Sequence, residues 1–176
     1  MVAAGLAVMG GVIIAATGIF SQTDTEAVLS GPVGPVEMDW QVGRIVDGDT
    51  IVVTRNGQRV KVRLIGIDTP ESVRPDSPVE CFGPEASAFA EQVLQGRTVQ
   101  LESDPSQGSE DAYGRQLAYV WYLDDAGNSV LFNQQAIAAG VAREYTYSTP
   151  YAWRDAFVAA QQQARSGDQG LWAACR

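Results

Sequence analysis

Ile51-Val52-Val53-Thr54-Arg55-Asn56-Gly57-Gln58-Arg59-Val60-Lys61-Val62-Arg63-Leu64 is the stretch that decides the fold. Its two arms are rich in β-branched residues, and Asn56-Gly57 between them suits a type I′ turn, which needs φ > 0 at both central positions. The stretch therefore predicts a β-hairpin. Outward on one side, Val42 to Ile45 and Thr50 to Thr54 read as short strands. On the other side, Pro84 to Gln95 predicts a helix with Pro in its first turn and Gly96 as its stop. Val99 to Glu102 and Gln116 to Leu123 return to strand character, with Asp125-Ala126-Gly127-Asn128 as a turn. Phe132 to Ala139 reads as a short helix stopped by Gly140, and Thr149-Pro150 opens a last helix that ends near Gly167. Five strands and three helices predict a small α+β domain built on a barrel.

Composition narrows the chemistry. The chain of 176 residues is 45% hydrophobic and 19% charged, enough to bury one core. It contains no His, which excludes a Ser-His-Asp triad, a His-metal cluster and a His general base. Two cysteines alone cannot build a zinc site. Acids outnumber bases by 21 to 12, a net charge of −9, so affinity for nucleic acid cannot come from net charge. Four of the acids (Asp24, Glu26, Glu37, Asp39) precede Trp40, which leaves the remainder at −5.

Residues 1–20, MVAAGLAVMGGVIIAATGIF, carry no charge. As a helix they would span roughly 30 Å, the thickness of a hydrocarbon core, and they predict a transmembrane anchor or a signal peptide. No Lys or Arg precedes Arg44, and Ala16-Thr17-Gly18 is a weak cleavage site. Both readings export the rest of the chain. Residues 21–39, broken by Gly31-Pro32 and Gly34-Pro35, read as a linker, and 40–176 as the domain. As free thiols, Cys81 and Cys175 would be ordinary core residues. Export to an oxidising compartment favours one disulfide between them.

Two stretches carry candidate chemistry. In the first, Asp47-Gly48-Asp49-Thr50 is followed by Arg63-Leu64-Ile65-Gly66-Ile67-Asp68-Thr69-Pro70-Glu71. Continued strand alternation would put Arg63, Ile65 and Ile67 on one face and Leu64 and Gly66 on the other. Carboxylates and carbonyls gathered at loop ends suit a hard cation such as Ca²⁺, although an Asp-Gly-Asp run alone is an ordinary solvated turn. In the second, Asp111-Ala112-Tyr113-Gly114-Arg115 precedes an apolar strand. Such a turn aims its arginine off the sheet end, where it can grip a phosphate bidentately, although a lone arginine there is usually a surface charge.

Taken together, Asp47-Gly-Asp-Thr50, Arg63-Leu64 with Asp68-Thr-Pro-Glu71, Gly83-Pro-Glu-Ala-Ser-Ala-Phe89 and Tyr113-Gly-Arg-Gln-Leu-Ala-Tyr119 resemble the staphylococcal nuclease family. The resemblance runs from about Val42 to Trp172. It implies a five-stranded OB-fold barrel with three helices and a Ca²⁺-dependent phosphodiesterase acting on DNA and RNA. By motif position it implies Ca²⁺ bound by Asp49, Asp68 and the Thr69 carbonyl, with Asp47 outside the direct ligands and orienting water. It implies Glu71 as general base, Arg63 and Arg115 on the scissile phosphate, and Tyr113 and Tyr145 near the terminal phosphate and base, with Tyr147 beside them. Cleavage of the P–O5′ bond, leaving 3′-phosphate ends, comes from the same resemblance.

The chain also departs from the family. The family's best-known member carries a lysine where Ala112 stands and a lysine-rich loop where Arg74-Pro75-Asp76-Ser77-Pro78 stands. Fewer cations imply weaker, more salt-sensitive substrate capture and a raised KM. An OB-type binding module without activity and a surface interaction domain are the alternative readings. Nothing in the sequence demands more than a monomer.

Overall fold

The computed structural model describes residues 38–72 and 78–175. The apolar segment 1–20, the linker up to residue 37 and residues 73–77 lie outside the described residues. Among those described, no helix is long and apolar enough to cross a membrane.

The chain runs β1 (Trp40–Asp47), β2 (Thr50–Arg55), β3 (Gln58–Leu64), β4 (Ile67–Asp68), α1 (Gly83–Leu94), β5 (Thr98–Glu102) and β6 (Gln116–Leu123). It continues through β7 (Ser129–Leu131), α2 (Phe132–Ala138), β8 (Arg143–Glu144), α3 (Arg154–Ser166) and α4 (Leu171–Ala174). The hairpin forms as its sequence dictates. Arg55 pairs with Gln58 across a two-residue loop, with Asn56 at φ 51° and Gly57 at φ 79°. Strands β3-β2-β1-β5-β6 are neighbours in that order, and β3 then pairs in parallel with β6 through Val62–Gln116, Arg63–Leu117 and Leu64–Ala118. That last pairing closes a five-stranded barrel, as expected for an OB-fold. β7 extends the sheet beyond β6.

The core is the barrel interior plus the inward faces of the helices. Ile51, Val53, Val62, Leu64, Val99, Ala118 and Val120 fill it from the strands, and Ala90, Leu94, Phe132, Ile137 and Phe157 from the helices. Asn133, fully buried on α2, accepts from the Val120 amide at 2.9 Å and donates to the Ile65 carbonyl at 2.9 Å. It thereby satisfies two backbone groups at the closing seam.

Several boundaries differ from the sequence reading. β1 is longer than Val42 to Ile45, because Trp40 and Gln41 pair with β5. Alternation does not continue past Leu64. Gly66 adopts φ 77°, so the chain turns there and both Ile65 and Ile67 enter the core while Arg63 stays half-buried. Any side chain at Gly66 would also meet the Tyr151 ring at 2.6 Å. The last helix begins at Arg154 and not at Thr149-Pro150, since Tyr151 is drawn into the core beneath the Gly66 turn and donates to its carbonyl at 3.2 Å. The short pieces β4, β7, β8 and α4 have no periodicity to announce them. Among the described residues, α4 is a fourth helix where three were expected.

Cys81 and Cys175 form a disulfide with Cα atoms 5.8 Å apart, joining the approach to α1 to the segment after α4. The bridged positions are 94 residues apart. Closing a loop of that size restricts the unfolded chain by about 4–5 kcal/mol in the entropic model. This is comparable to burying two or three large aliphatic side chains at about 1.5–3 kcal/mol each, so the bridge reinforces the core and does not replace it. Intact mass under alkylation should show no reactive thiol before reduction and two after it. Reduction should lower the denaturant midpoint, and an unchanged midpoint would show that the unfolded chain was not restricted.

Asp104, at 4% exposure, ties the exit of β5 to the entry of α3. Its carboxylate accepts from Tyr119 Oη at 2.6 Å, the Ala152 amide at 2.8 Å, the Ser106 amide at 2.9 Å and Ser106 Oγ at 2.8 Å. Burial alone would raise its pKa. The four donors outweigh burial and hold it below the usual 3.8. The ionised form therefore stabilises the fold fully above that value, and the stability is lost as pH falls through the folded-state value. Asp104→Asn turns one acceptor into a donor facing donors and should cost about 2–4 kcal/mol at neutral pH. It should also flatten the acid limb of stability against pH, and a variant whose acid limb matches the parent would overturn this account.

Candidate active site

The candidate site forms where the β1–β2 turn, the end of β3 and the residues after β4 meet. Gly48 permits the meeting: a Cβ there would lie 2.7 Å from Thr69 Cγ2 and 3.0 Å from Ala86 Cβ. The turn can therefore lie directly on Thr69. Asp49, at 6% exposure, is the centre. Its Oδ2 accepts from the Thr69 amide at 3.0 Å and Thr69 Oγ1 at 3.1 Å, and pairs with Arg63 Nη2 at 3.2 Å. Its Oδ1 accepts from Thr50 Oγ1 at 3.0 Å. Arg63 Nη2 also contacts Asp68 Oδ1 at 3.1 Å, and its Nη1 donates to the carbonyls of Leu64 at 3.0 Å and Ile67 at 2.8 Å.

Burial and the neighbouring carboxylate both raise Asp47 and Asp68. Burial first, and the Asp49 charge second, push Asp47 up to about 6. Asp68 is raised by partial burial and then by Asp49, while Arg63 and Arg143 pull the other way. Asp47 Oδ1 accepts from the Asp49 amide at 3.1 Å.

Arg115 reaches the cluster from the other side of the barrel seam. Its Nη1 donates to Thr50 Oγ1 at 3.4 Å. Asp111 fixes it from behind, with Oδ2 2.6 Å from Nε and Oδ1 accepting from the Arg115 and Tyr113 amides at 3.0 and 2.9 Å. Burial would raise the Asp111 pKa, but these donors hold it below the usual range. Tyr113, largely exposed, has its ring 5.3 Å from the Arg115 guanidinium.

Glu71 follows on the loop after β4. Its Oε1 accepts from the Ser72 amide at 3.0 Å, and its own amide donates to Glu80 Oε2 at 3.1 Å. Tyr145 and Tyr147, after β8, pack on each other with ring centroids 6.4 Å apart. The Tyr145 amide donates to the Gly66 carbonyl at 3.0 Å, which fixes that segment beside the β3–β4 turn. Direct contacts thus gather Asp47, Asp49, Asp68, Thr69, Arg63 and Arg115. Glu71 and the two tyrosines lie on adjoining loops outside that hydrogen-bonded set.

Three participants carry no role in the sequence reading. Thr50 bridges Asp49 and Arg115, Asp111 anchors Arg115, and Glu80 holds the Glu71 loop. The four-residue spacing of Asp111 and Arg115 was the one available signal. The others depend on long-range register. Among the described residues, no three His, Cys, Asp or Glu side chains gather closely enough to hold a metal ion by themselves.

A closed five-stranded barrel carrying paired carboxylates and guanidiniums beside its seam defines an OB-fold protein. Comparison with known proteins gives the family. Residues 61–174 match the staphylococcal nuclease homologue family. The thermonuclease of Staphylococcus hyicus is 38% identical over 136 residues, covering 77% of this chain and 76% of that one. The thermonuclease of Staphylococcus intermedius is 40% identical over 131 residues, 74% of each chain. The SPbeta prophage-derived endonuclease YokF of Bacillus subtilis is 39% identical over 136 residues, 77% of this chain and 44% of its own length. The chain belongs to the staphylococcal nuclease family.

Proposed function

We propose that the protein is an exported, Ca²⁺-dependent nuclease that hydrolyses phosphodiester bonds in DNA and RNA, with residues 40–176 as its catalytic domain. The observation that carries this reading is one unbroken line of contacts, Arg115–Thr50–Asp49–Arg63–Asp68. It puts two guanidiniums and two carboxylates in one place. The relatives named thermonuclease and endonuclease support the same reading.

The donor set suits a hard cation: carboxylates of Asp49 and Asp68 with the Thr69 carbonyl, the remaining positions falling to water and substrate oxygen. Asp47 and Asp68 are raised by burial first and by the Asp49 charge second, and a cation beside them would offset both. When bound, Ca²⁺ supplies positive charge at the phosphoryl oxygens. Arg63 and Arg115 stabilise the charge that accumulates on those oxygens as water attacks. Arg115 does so from a fixed position set by Asp111. Arg63 must exchange a carboxylate for the phosphate. Glu71 orients or deprotonates the attacking water, a carboxylate being the natural base in a chain without His. Tyr113, Tyr145 and Tyr147 contact the substrate's terminal phosphate and base. The products carry 3′-phosphate ends through P–O5′ cleavage. The disulfide and the apolar residues 1–20 support action outside the cytoplasm, free or anchored at a membrane, and the protein acts as a monomer.

Cleavage of single-stranded DNA at low salt should require Ca²⁺ and stop with chelator. Arg115→Ala should lower kcat by about 10²–10³, the usual effect of losing one charge-stabilising donor. Glu71→Gln should abolish most of the remaining rate without unfolding the protein. Folded protein that binds DNA but never cuts it would replace the enzyme with a binding module.

Asp111→Ala tests the positioning of Arg115. The guanidinium remains but loses its anchor, and a misplacement near 1 Å costs roughly 10²-fold in rate. The loss should appear mainly in kcat, with the melting temperature nearly unchanged. Equal loss in a variant already lacking Arg115 would show that Asp111 acts through something else.

A further inference from the structure

We propose that Arg143, Arg165 and Trp172 form a second anion site that takes a phosphate of the substrate strand beyond the one being cleaved, an inference that rests on the nuclease reading above. The two guanidiniums lie 5.7 and 5.6 Å from the Trp172 ring, so they can be no farther apart than those distances combined. They line one cavity of about 360 Å³ with Asp168, Leu171, Trp172 and Cys175. Neither guanidinium makes a hydrogen bond or ion pair among the described residues. By contrast, Arg55, Arg63, Arg97, Arg115 and Arg154 each have a carboxylate within salt-bridge reach. In a chain where acids outnumber bases, two like charges brought to one indole without a carboxylate on either fork are suited to an external anion. Each guanidinium fork can match a phosphate diester bidentately, and cation–π contact with the indole restricts where each fork can lie. Asp168 also lines the cavity.

The location links this cavity to the candidate active site. Arg143 is the register partner of Asp68 in the β4–β8 pair. Directly opposed residues in an antiparallel pair project to the same face, and both are exposed. A strand whose scissile phosphate sits between Arg63 and Arg115 can therefore run over β8 and set a further phosphate between Arg143 and Arg165. A substrate too short to cross β8 gains nothing there, so the site favours polynucleotides over dinucleotides. It also offers a cationic foothold in a chain that lacks the lysine at position 112.

The test uses the full chain and a single-stranded DNA dodecamer in chelator, with affinity measured across a salt series. Arg143→Gln with Arg165→Gln should weaken binding roughly tenfold at low salt. It should also make the dependence of log K on log salt shallower by about 1.4, at roughly 0.7 for each single-strand phosphate that the variant no longer neutralises. Arg143→Lys with Arg165→Lys keeps the charges and should recover most of the salt slope, which a purely structural role would not require. With Ca²⁺, the Gln pair should raise KM for the polymer well beyond any change it makes for a dinucleoside phosphate. Unchanged affinity and salt slope in the Gln pair would overturn the site, as would an equal effect on the dinucleoside phosphate. If the parent binds the dodecamer through these arginines yet cleaves nothing, the anion site stands and the nuclease reading fails.

Discussion

A buried carboxylate is costly unless donors surround it, and Asp49 imposes that condition on everything near it. Four donors meet the demand: Thr50 Oγ1, the Thr69 amide, Thr69 Oγ1 and Arg63 Nη2. They come from the start of β2, the end of β3 and the residues beyond β4. Satisfying one carboxylate therefore fixes the relative positions of three chain segments. Gly48 is the steric condition for it, since a side chain there would drive Thr69 away. The parallel seam between β3 and β6 is the topological condition. It brings Arg63 level with Leu117 and carries Arg115, just ahead of β6, to the same end of the barrel.

Local chemistry made much of this legible. The Asn56-Gly57 hairpin, the helix that starts at Gly83-Pro84 and the stop at Gly140 are each set by residues within a few positions of one another. The Asp47–Thr50 and Arg63–Glu71 motifs announce a site for the same reason: their functional groups lie on turns whose shape is locally encoded. What escaped was non-local. β4 and β8 are two residues each and exist because they pair with one another. The Gly66 turn reverses an alternation pattern because Tyr151, far along the chain, occupies the space a side chain would need. The late start of α3 follows from that burial and from the Asp104 cluster. Thr50 and Glu80 gain their places from the same tertiary register, which no short window contains.

In this acidic protein, phosphate contacts depend on a few arginines set among carboxylates. The chain is at −9 overall, with a single lysine, Lys61, among its twelve cations. Positive charge is thus carried almost wholly by arginine, whose fork can bind a carboxylate now and a phosphate later with similar geometry. Long-range steering of a polyanion is weak for such a protein, because a negative surface repels it at separations near the Debye length of about 8–10 Å. Selectivity must arise at contact, where desolvated guanidiniums act over a few ångströms. An acidic surface with locally paired arginines therefore disfavours loose, nonspecific capture more than it disfavours the bound state.

Arg63 and Arg115 are not equivalent under this scheme. Arg115 is anchored through Nε by an Asp111 carboxylate whose other oxygen is engaged by two amides, so its Nη groups are aimed before any ligand arrives. That is preorganisation, and it requires no rearrangement at the moment of reaction. Arg63 has Nη1 committed to two carbonyls, while Nη2 is shared between Asp49 and Asp68. On the nuclease reading, Asp49 and Asp68 would hold the Ca²⁺, and a cation there would compete with Nη2 for both carboxylates. Nη2 would then be free for the phosphate, so cation and phosphate binding would be expected to strengthen one another. The carbonyls of Leu64 and Ile67 keep the guanidinium in place throughout, so the exchange needs a change of partner at one nitrogen and no movement of the barrel.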